Sequence, residues 1–289
     1  MAYETILSLL NGIAGNNETR NLIMRQAVDQ SAIQRLAPGR RLTSPVVRGA
    51  FASEVEAYAV AEGSQKTSVS GLMNTVNYTV KAVSIIVPVS NLMYENETDL
   101  ADALISQMTA GVARGIDRSI LRDTESVFGT SVVGAATTAS NVVTASGTTV
   151  TWANVNSTFS LVESDGFGVT GAVAREADKG EYRSAETTYG TRFFVPAEGN
   201  EPAVLFGAPV GFVKSAGTLP VLPKTVTGSE TALVVGDWSQ LHWGYLNDVQ
   251  IRVDPYTLMD YNQTRILVEM YIGFAVLNGN AFAILKEQA

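Results

Sequence analysis

Residues 75–89, TVNYTVKAVSIIVPV, place apolar side chains at Val76, Tyr78 and Val80, then change phase to Val83, Ile85, Val87 and Val89. Period two predicts a strand with one buried face, and the phase change predicts a bulge or strong twist inside it. A second alternating run over 265–277 sets Ile266, Val268, Met270, Ile272, Phe274 and Val276 on one face, so a long strand is expected there, preceded by a shorter one at 249–253. Between these strand regions, Leu100, Leu104, Met108, Val112, Ile116 and Ile120 recur every four residues. That spacing predicts a helix over 97–123, about 40 Å long, with Asn96 as its N-cap. Gly111 and Gly115 inside it each cost about 1 kcal/mol relative to Ala, which predicts that another backbone crosses closely at that point.

Other stretches are defined by what they lack. The sequence EGSQKTSVSG at 62–71 has Val69 as its only large apolar residue. A two-stranded hairpin with so little to bury is marginal in water and must rest on something else. Residues 18–36 are compatible with a helix, and APGRRLTSP then interrupts with two prolines and a glycine, so an arm without a core of its own is expected. Residues 129–151 carry no charge and consist only of Gly, Ala, Ser, Thr, Val and one Asn, which reads as a connection between two subdomains. Val155, Phe159 and Val162 then suggest a short helix.

Charge changes the picture of partners. Lys and Arg number 20 and Asp and Glu 28, a net of -8, which argues against the whole chain being a nucleic-acid sleeve. The charge is uneven. Residues 1–50 hold six arginines against three acids, leaving 14 basic against 25 acidic residues beyond them. A basic arm precedes an acidic body. The absence of cysteine excludes disulfides, thiolate chemistry and cysteine-bound zinc, and the single histidine excludes motifs that need two. No apolar run approaches the roughly 18 residues of a membrane span, and no signal peptide is evident, so a soluble, cytosolic product is expected.

The hexapeptide GFGVTG at 166–171 has the Gly-x-Gly-x-x-Gly spacing of a dinucleotide-binding turn. That fingerprint must follow a strand and open a helix. Here a helical pattern runs into Gly166, suited to a helix C-cap, and VTGAVA beyond it suits a strand. Glu186 has the spacing of a ribose-binding acid, but no strand pattern surrounds it. His242 stands with Trp238, Trp243 and Tyr245; a packed histidine fits that setting better than a general base, since no nucleophile motif accompanies it.

The order of these pieces resembles the major capsid proteins of tailed bacteriophages, built on the Hong Kong 97-type shell fold. AYAVAEGSQK (57–66) looks like the entry to that family's E-loop, and VPVSNLMYENETDLADAL (87–104) like its junction of strand and spine helix. GIDRSIL (115–121), LFGAPV (205–210), GDWS (236–239) and the closing ILVEMYIGFAVLNGNAFAIL (266–285) are similar to further family segments. The resemblance implies an α+β fold with an N-terminal arm (1–50), an E-loop (51–90), a P-domain spine helix (91–127), an A-domain (128–242) and P-domain C-terminal strands (243–289).

It also implies a structural protein without enzyme activity, cofactor or metal, assembling as hexamers and pentamers into an icosahedral virion shell in the host cytoplasm. The shell would enclose double-stranded DNA by non-specific contact, with portal and decoration proteins as further partners. Many relatives carry a long N-terminal scaffolding segment, whereas about 50 residues precede the E-loop here, so either a separate scaffolding protein exists or the short arm suffices. Some relatives join an E-loop lysine of one subunit to a P-domain asparagine of another with the help of a glutamate; by position these would be Lys66, Asn262 and Glu269. Two alternatives remain open: an encapsulin-type compartment that holds protein cargo, and a dinucleotide-binding oxidoreductase suggested by GFGVTG.

Overall fold

The computed structural model describes residues 31–52, 59–66, 73–91, 100–123, 126–145, 147, 149–185, 190, 192, 194–196, 202–224 and 230–287. Asn96, Glu186 and residues 18–30 lie outside these. The chain begins with helix α1 (Ala32–Leu36) and strands β1 (Arg40–Leu42), β2 (Val46–Ala52), β3 (Met73–Thr79) and β4 (Lys81–Ser90). Helices α2 (Leu100–Leu121) and α3 (Val132–Thr138), strand β5 (Val142–Thr144), helix α4 (Trp152–Ser164), strand β6 (Gly171–Arg175) and helix α5 (Lys179–Ser184) follow. The remainder is strand: β7 (Phe194–Val195), β8 (Val204–Leu205), β9 (Ala208–Val213), β10 (Thr231–Gly236), β11 (Leu241–Asp254), β12 (Gln263–Val276) and β13 (Phe282–Lys286).

Sheet order β1-β11-β12-β4 forms the first layer, with β1 parallel to β11 and the other pairs antiparallel. Helix α2 covers one face. Met108, Val112, Ile116 and Ile120 are buried against Ile266, Val268, Met270, Ile272 and Phe274 in one continuous core, as the two periodicities require. The helix glycines admit β4 closely, through side chains and not through a crossing backbone: a Cβ on Gly111 would lie 2.6 Å from Ile85 Cδ1, and one on Gly115 would lie 2.8 Å from Val83 Cγ1. After Leu121 the chain turns at Asp123, whose carboxylate accepts from the N–H groups of Val127, Phe128 and Gly129.

The phase change at 75–89 has a topological cause. Strand β3 belongs to a separate two-stranded ribbon with β2, and β4 belongs to the four-stranded sheet. At the handover, Val80 N donates to Pro45 O at 2.9 Å. The strand predicted at 249–253 starts earlier, at Leu241, because an irregularity between Leu246 and Gln250 breaks its alternation.

A second sheet has the order β5-β13-β10-β6-β9-β8-β7. Both faces of its centre are covered, so β10 reads as a continuous apolar run with every residue buried. Val173, Val234 and Ile284 join the core beneath α2, whereas Ala172, Leu233, Val235 and Leu285 pack with Phe159 and Val162 of α4 on the opposite face. The uncharged stretch 129–151 is therefore more than a connection. Capped by Ser131, whose hydroxyl accepts from Gly134 N, it forms α3 and then β5, which pairs with β13. Val132, Ala135 and Ala136 of α3 are buried, and its small side chains let it lie close against the body.

The expectation of an arm without a core is corrected for residues 31–42. Ile33 is fully buried and Ala32 and Ala37 nearly so. Trp243 Nε1 donates to Ala37 O at 2.6 Å, and β1 pairs with Gly244, Tyr245 and Leu246 of β11. Short apolar residues let this segment lie close to the body.

GFGVTG resolves as a helix stop followed by a turn. Helix α4 ends before it, Gly166 adopts φ +85°, and β6 begins at Gly171. The order is helix then strand, so these glycines open no helix and the dinucleotide reading fails on geometry.

Candidate assembly surface

The β2–β3 ribbon pairs over seven residues, from Val46 opposite Thr79 to Ala52 opposite Met73. Its root is fixed where Tyr78 covers Gly273 of β12: a Cβ there would lie 2.9 Å from Tyr78 Cδ2. Most of the ribbon's described side chains are uncovered. Val46 is 50% exposed, and Arg48, Thr75, Asn77 and Thr79 are all exposed, as is every residue from 59 to 66. A ribbon of two strands gains little stability alone, which makes this surface a candidate for contact with another chain.

The face of the first sheet away from α2 is also open. Leu267 lies in register between Ile86 and Arg252, and Glu269 between Ser84 and Gln250. Ile86 is 58% exposed. Strand β4 stands at the sheet margin, with β12 as its only partner among the described residues. Such an edge is a template for further pairing or packing.

A third element is the turn joining β11 and β12. Tyr256, Met259 and Tyr261 are 80%, 67% and 74% exposed, and Tyr and Met are enriched where protein surfaces meet. The turn is braced from within. Asp254 accepts from the hydroxyl and N–H of Thr257 and from Tyr256 N, which hold its carboxyl below the usual range. Asn262, left-handed at φ 53°, accepts from Asn91 at both its backbone and side-chain oxygens at 3.0 Å. Thr264 Oγ1 then donates to Asn91 Oδ1 at 2.7 Å. The exposed apolar side chains thus project from a fixed knob.

Lys66, Asn262 and Glu269 are placed apart within one chain. Lys66 is exposed beyond the described end of the ribbon, Asn262 caps the β11–β12 turn, and Glu269 is half-buried on the open sheet face. Seven residues of strand separate the last two, about 23 Å. His242 is half-buried, with burial first and the Arg40 charge second lowering its pKa, while Trp243 pairs with Tyr245 at a centroid distance of 6.2 Å.

Sequence reasoning missed a buried ionic cluster. Arg175, fully buried, bridges Asp178 and Glu287, and Lys224 Nζ lies 2.6 Å from Asp178 and 2.9 Å from Glu181. The three carboxylates have a grouping that would suit a metal, but the chain's own cations fill that role. Only the short spacing of Arg175 and Asp178 hinted at it. Among the described residues no helix is long and apolar enough to cross a membrane.

A family model described as the Phage capsid family matches residues 12–287. The chain belongs to that family, whose members are structural proteins of the bacteriophage capsid and not enzymes. No curated protein matches the sequence. Among solved structures, one from Microbacterium phage Oxtober96 is similar with a TM-score of 0.67 at 16% identity, covering 89% of this chain and 91% of that one. One from Gordonia phage Cozz reaches 0.64 at 20% identity, covering 90% and 87%. A third, described as the capsid of a native GTA particle computed with C5 symmetry, reaches 0.63 at 14% identity over 90% and 91%. These likenesses establish the mixed helix and sheet fold shared with phage capsid structures.

Proposed function

We propose that this chain is the repeating subunit of an icosahedral shell of the Hong Kong 97 type, assembled from hexamers and pentamers in the host cytoplasm, and that the shell encloses double-stranded DNA. The single observation that carries this reading is the ribbon β2–β3, a two-stranded sheet separate from the two larger ones, whose described side chains are mostly exposed, in a member of the phage capsid family. The ribbon corresponds to the E-loop and α2 to the spine helix. The first sheet supplies the P-domain strands, and the second sheet with α4 the A-domain.

Neighbouring copies would cover the ribbon, the open sheet face and the turn at Tyr256–Tyr261. A closed symmetric shell repeats each of these contacts many times, so modest contacts yield a stable particle. Negative-stain microscopy of the expressed full-length chain, with and without co-expressed neighbouring phage proteins, tests this reading. Closed shells are expected, with DNA in the filled ones. Small discrete oligomers under every condition would contradict it, and shells that enclose protein cargo and never DNA would contradict its DNA clause.

A further inference from the structure

Two clefts flank the docked segment 31–42. One, of about 730 Å³, opens between that segment, the ribbon root and the start of β11. Among the described residues its charged lining is Arg40, Arg41 and Arg48, with His242 beside them and no carboxylate. The other, of about 790 Å³, lies beside α1 and is lined by Arg35, Lys179 and Arg183 against one acid, Glu176. Leu36 lines both, so the two adjoin.

This distribution runs against the chain's composition. Among the described residues, six Lys and Arg side chains line the two clefts with one acid, Glu176, in a chain whose net charge is -8. Arg35, Arg40, Arg41, Arg48 and Arg183 are exposed, and Lys179 Nζ is held 4.9 Å from the Phe212 ring centroid. Concentrating like charges in concave surfaces destabilises the isolated fold, and an anion placed there relieves that cost. A single carboxylate would engage one guanidinium. A row of them matches an anion that repeats along a polymer, and guanidinium forks suit phosphate oxygens.

We propose that the two adjoining clefts form one tract that binds the phosphodiester backbone of nucleic acid, with Arg35, Arg40, Arg48 and Lys179 as its principal phosphate contacts. The assignment rests on the DNA-enclosing role proposed above and adds to it the residues and chemistry of contact. Binding is sequence-independent, because the lining offers charges for phosphates and no arrangement for reading base edges. His242, whose pKa burial and the Arg40 charge lower, adds an imidazole beside the arginines.

The test is fluorescence anisotropy of a short labelled DNA duplex with the full-length chain, kept unassembled by dilution, across a salt series. Each phosphate contact contributes about -0.9 to the slope of log K against log salt. The variant Arg40→Gln/Arg48→Gln is expected to lower the slope's magnitude by about 2 and the affinity at low salt on the order of tenfold. Arg35→Gln/Lys179→Gln, in the other cleft, is expected to do the same independently. Arg40→Lys/Arg48→Lys should keep the wild-type slope, as should Arg252→Gln on the open sheet face. Circular dichroism melts establish that each variant is folded.

Unchanged slopes in both Gln variants would overturn the assignment. So would poly-glutamate displacing the duplex as well as unlabelled DNA does, since the tract would then be an acidic-peptide site. Microscopy separates this from the shell reading: variants that still form shells while binding DNA like wild type defeat only the phosphate tract.

Discussion

Ser31 Oγ donates a hydrogen bond to Asp117 Oδ1 at 2.5 Å, joining residues 86 apart in sequence. The same carboxylate accepts from Ala32 N at 3.1 Å and Ile33 N at 3.3 Å, so an acid on α2 caps the start of α1. Ser31 Oγ also accepts from Gln34 N. The N-terminal segment is thereby tied to the long helix by a wholly buried polar cluster.

Burial pushes Asp117 up to about 6 from 3.8, against the hydrogen bonds from Ser31, Ala32 and Ile33 and the charge of Arg35. A carboxyl raised in the folded state binds more protons there than in the unfolded chain between those two values. Its stabilising contribution is complete below about 3.8 and is lost as pH rises through about 6, a difference on the order of 3 kcal/mol. Thermal melts of wild type and Asp117→Asn at several pH values should show the wild type gaining relative to the variant on acidification from neutrality to about pH 4. A pH-independent difference would contradict this.

Trp243→Phe removes the donor to Ala37 O and leaves a buried carbonyl without its partner. Denaturant unfolding should show a loss of about 1–3 kcal/mol. Limited proteolysis should cut residues 37–45 faster in the variant, since that bond holds the docked segment to β11.

Gly111 and Gly115 separate by what each faces. Alanine gains about 1 kcal/mol of helix propensity at either site. At Gly111 the obstacle is the flexible end of Ile85, which borders a cavity of about 440 Å³ and has room to move. At Gly115 it is Val83 Cγ1, which lines the same cavity but is branched at Cβ and so sits one bond from the stiff strand backbone, with less freedom to turn aside. Gly111→Ala should be neutral to within about 0.5 kcal/mol, and Gly115→Ala destabilising by about 1 kcal/mol after the helix gain.

The sequence made the one-sided elements legible because burial on a single face leaves a clean period. The four-residue spacing in α2 and the alternation in β12 are of this kind, and the structure buries Met108 to Ile120 and Ile266 to Phe274 as those patterns require. Elsewhere the pattern was erased. Strand β10 is covered on both faces and shows no alternation, and the shift between Leu246 and Gln250 hid the first half of β11. The docking of Ser31 onto Asp117 and the bridge from Arg175 to Glu287 depend on contacts between distant residues, which local spacing does not encode. At the assembly surface the pairing of Val46–Ala52 with Met73–Thr79 was not legible, because VVRGAFA carries no clean alternation, and of the apolar-poor stretch 62–71 residues 67–71 lie outside the described ones. Nor was the knob of Tyr256, Met259 and Tyr261, because exposed and buried aromatics look alike in one dimension.

Met259→Ser/Tyr261→Ser tests that knob. Both side chains are mostly exposed in the single chain, so unfolding free energy should change by no more than about 0.5 kcal/mol. Shell yield, read by sedimentation, should fall markedly. A yield equal to wild type would remove the turn from the assembly surface.

The central claim is that sister copies complete the ribbon. Hydrogen exchange at the amides of Met73–Thr79, compared between unassembled subunits and particles, addresses it directly. The account predicts exchange near that of an unsupported hairpin in the subunit and strong slowing in the particle, while the amides of β10 remain slow in both. Equal protection of Met73–Thr79 in the two states would contradict it.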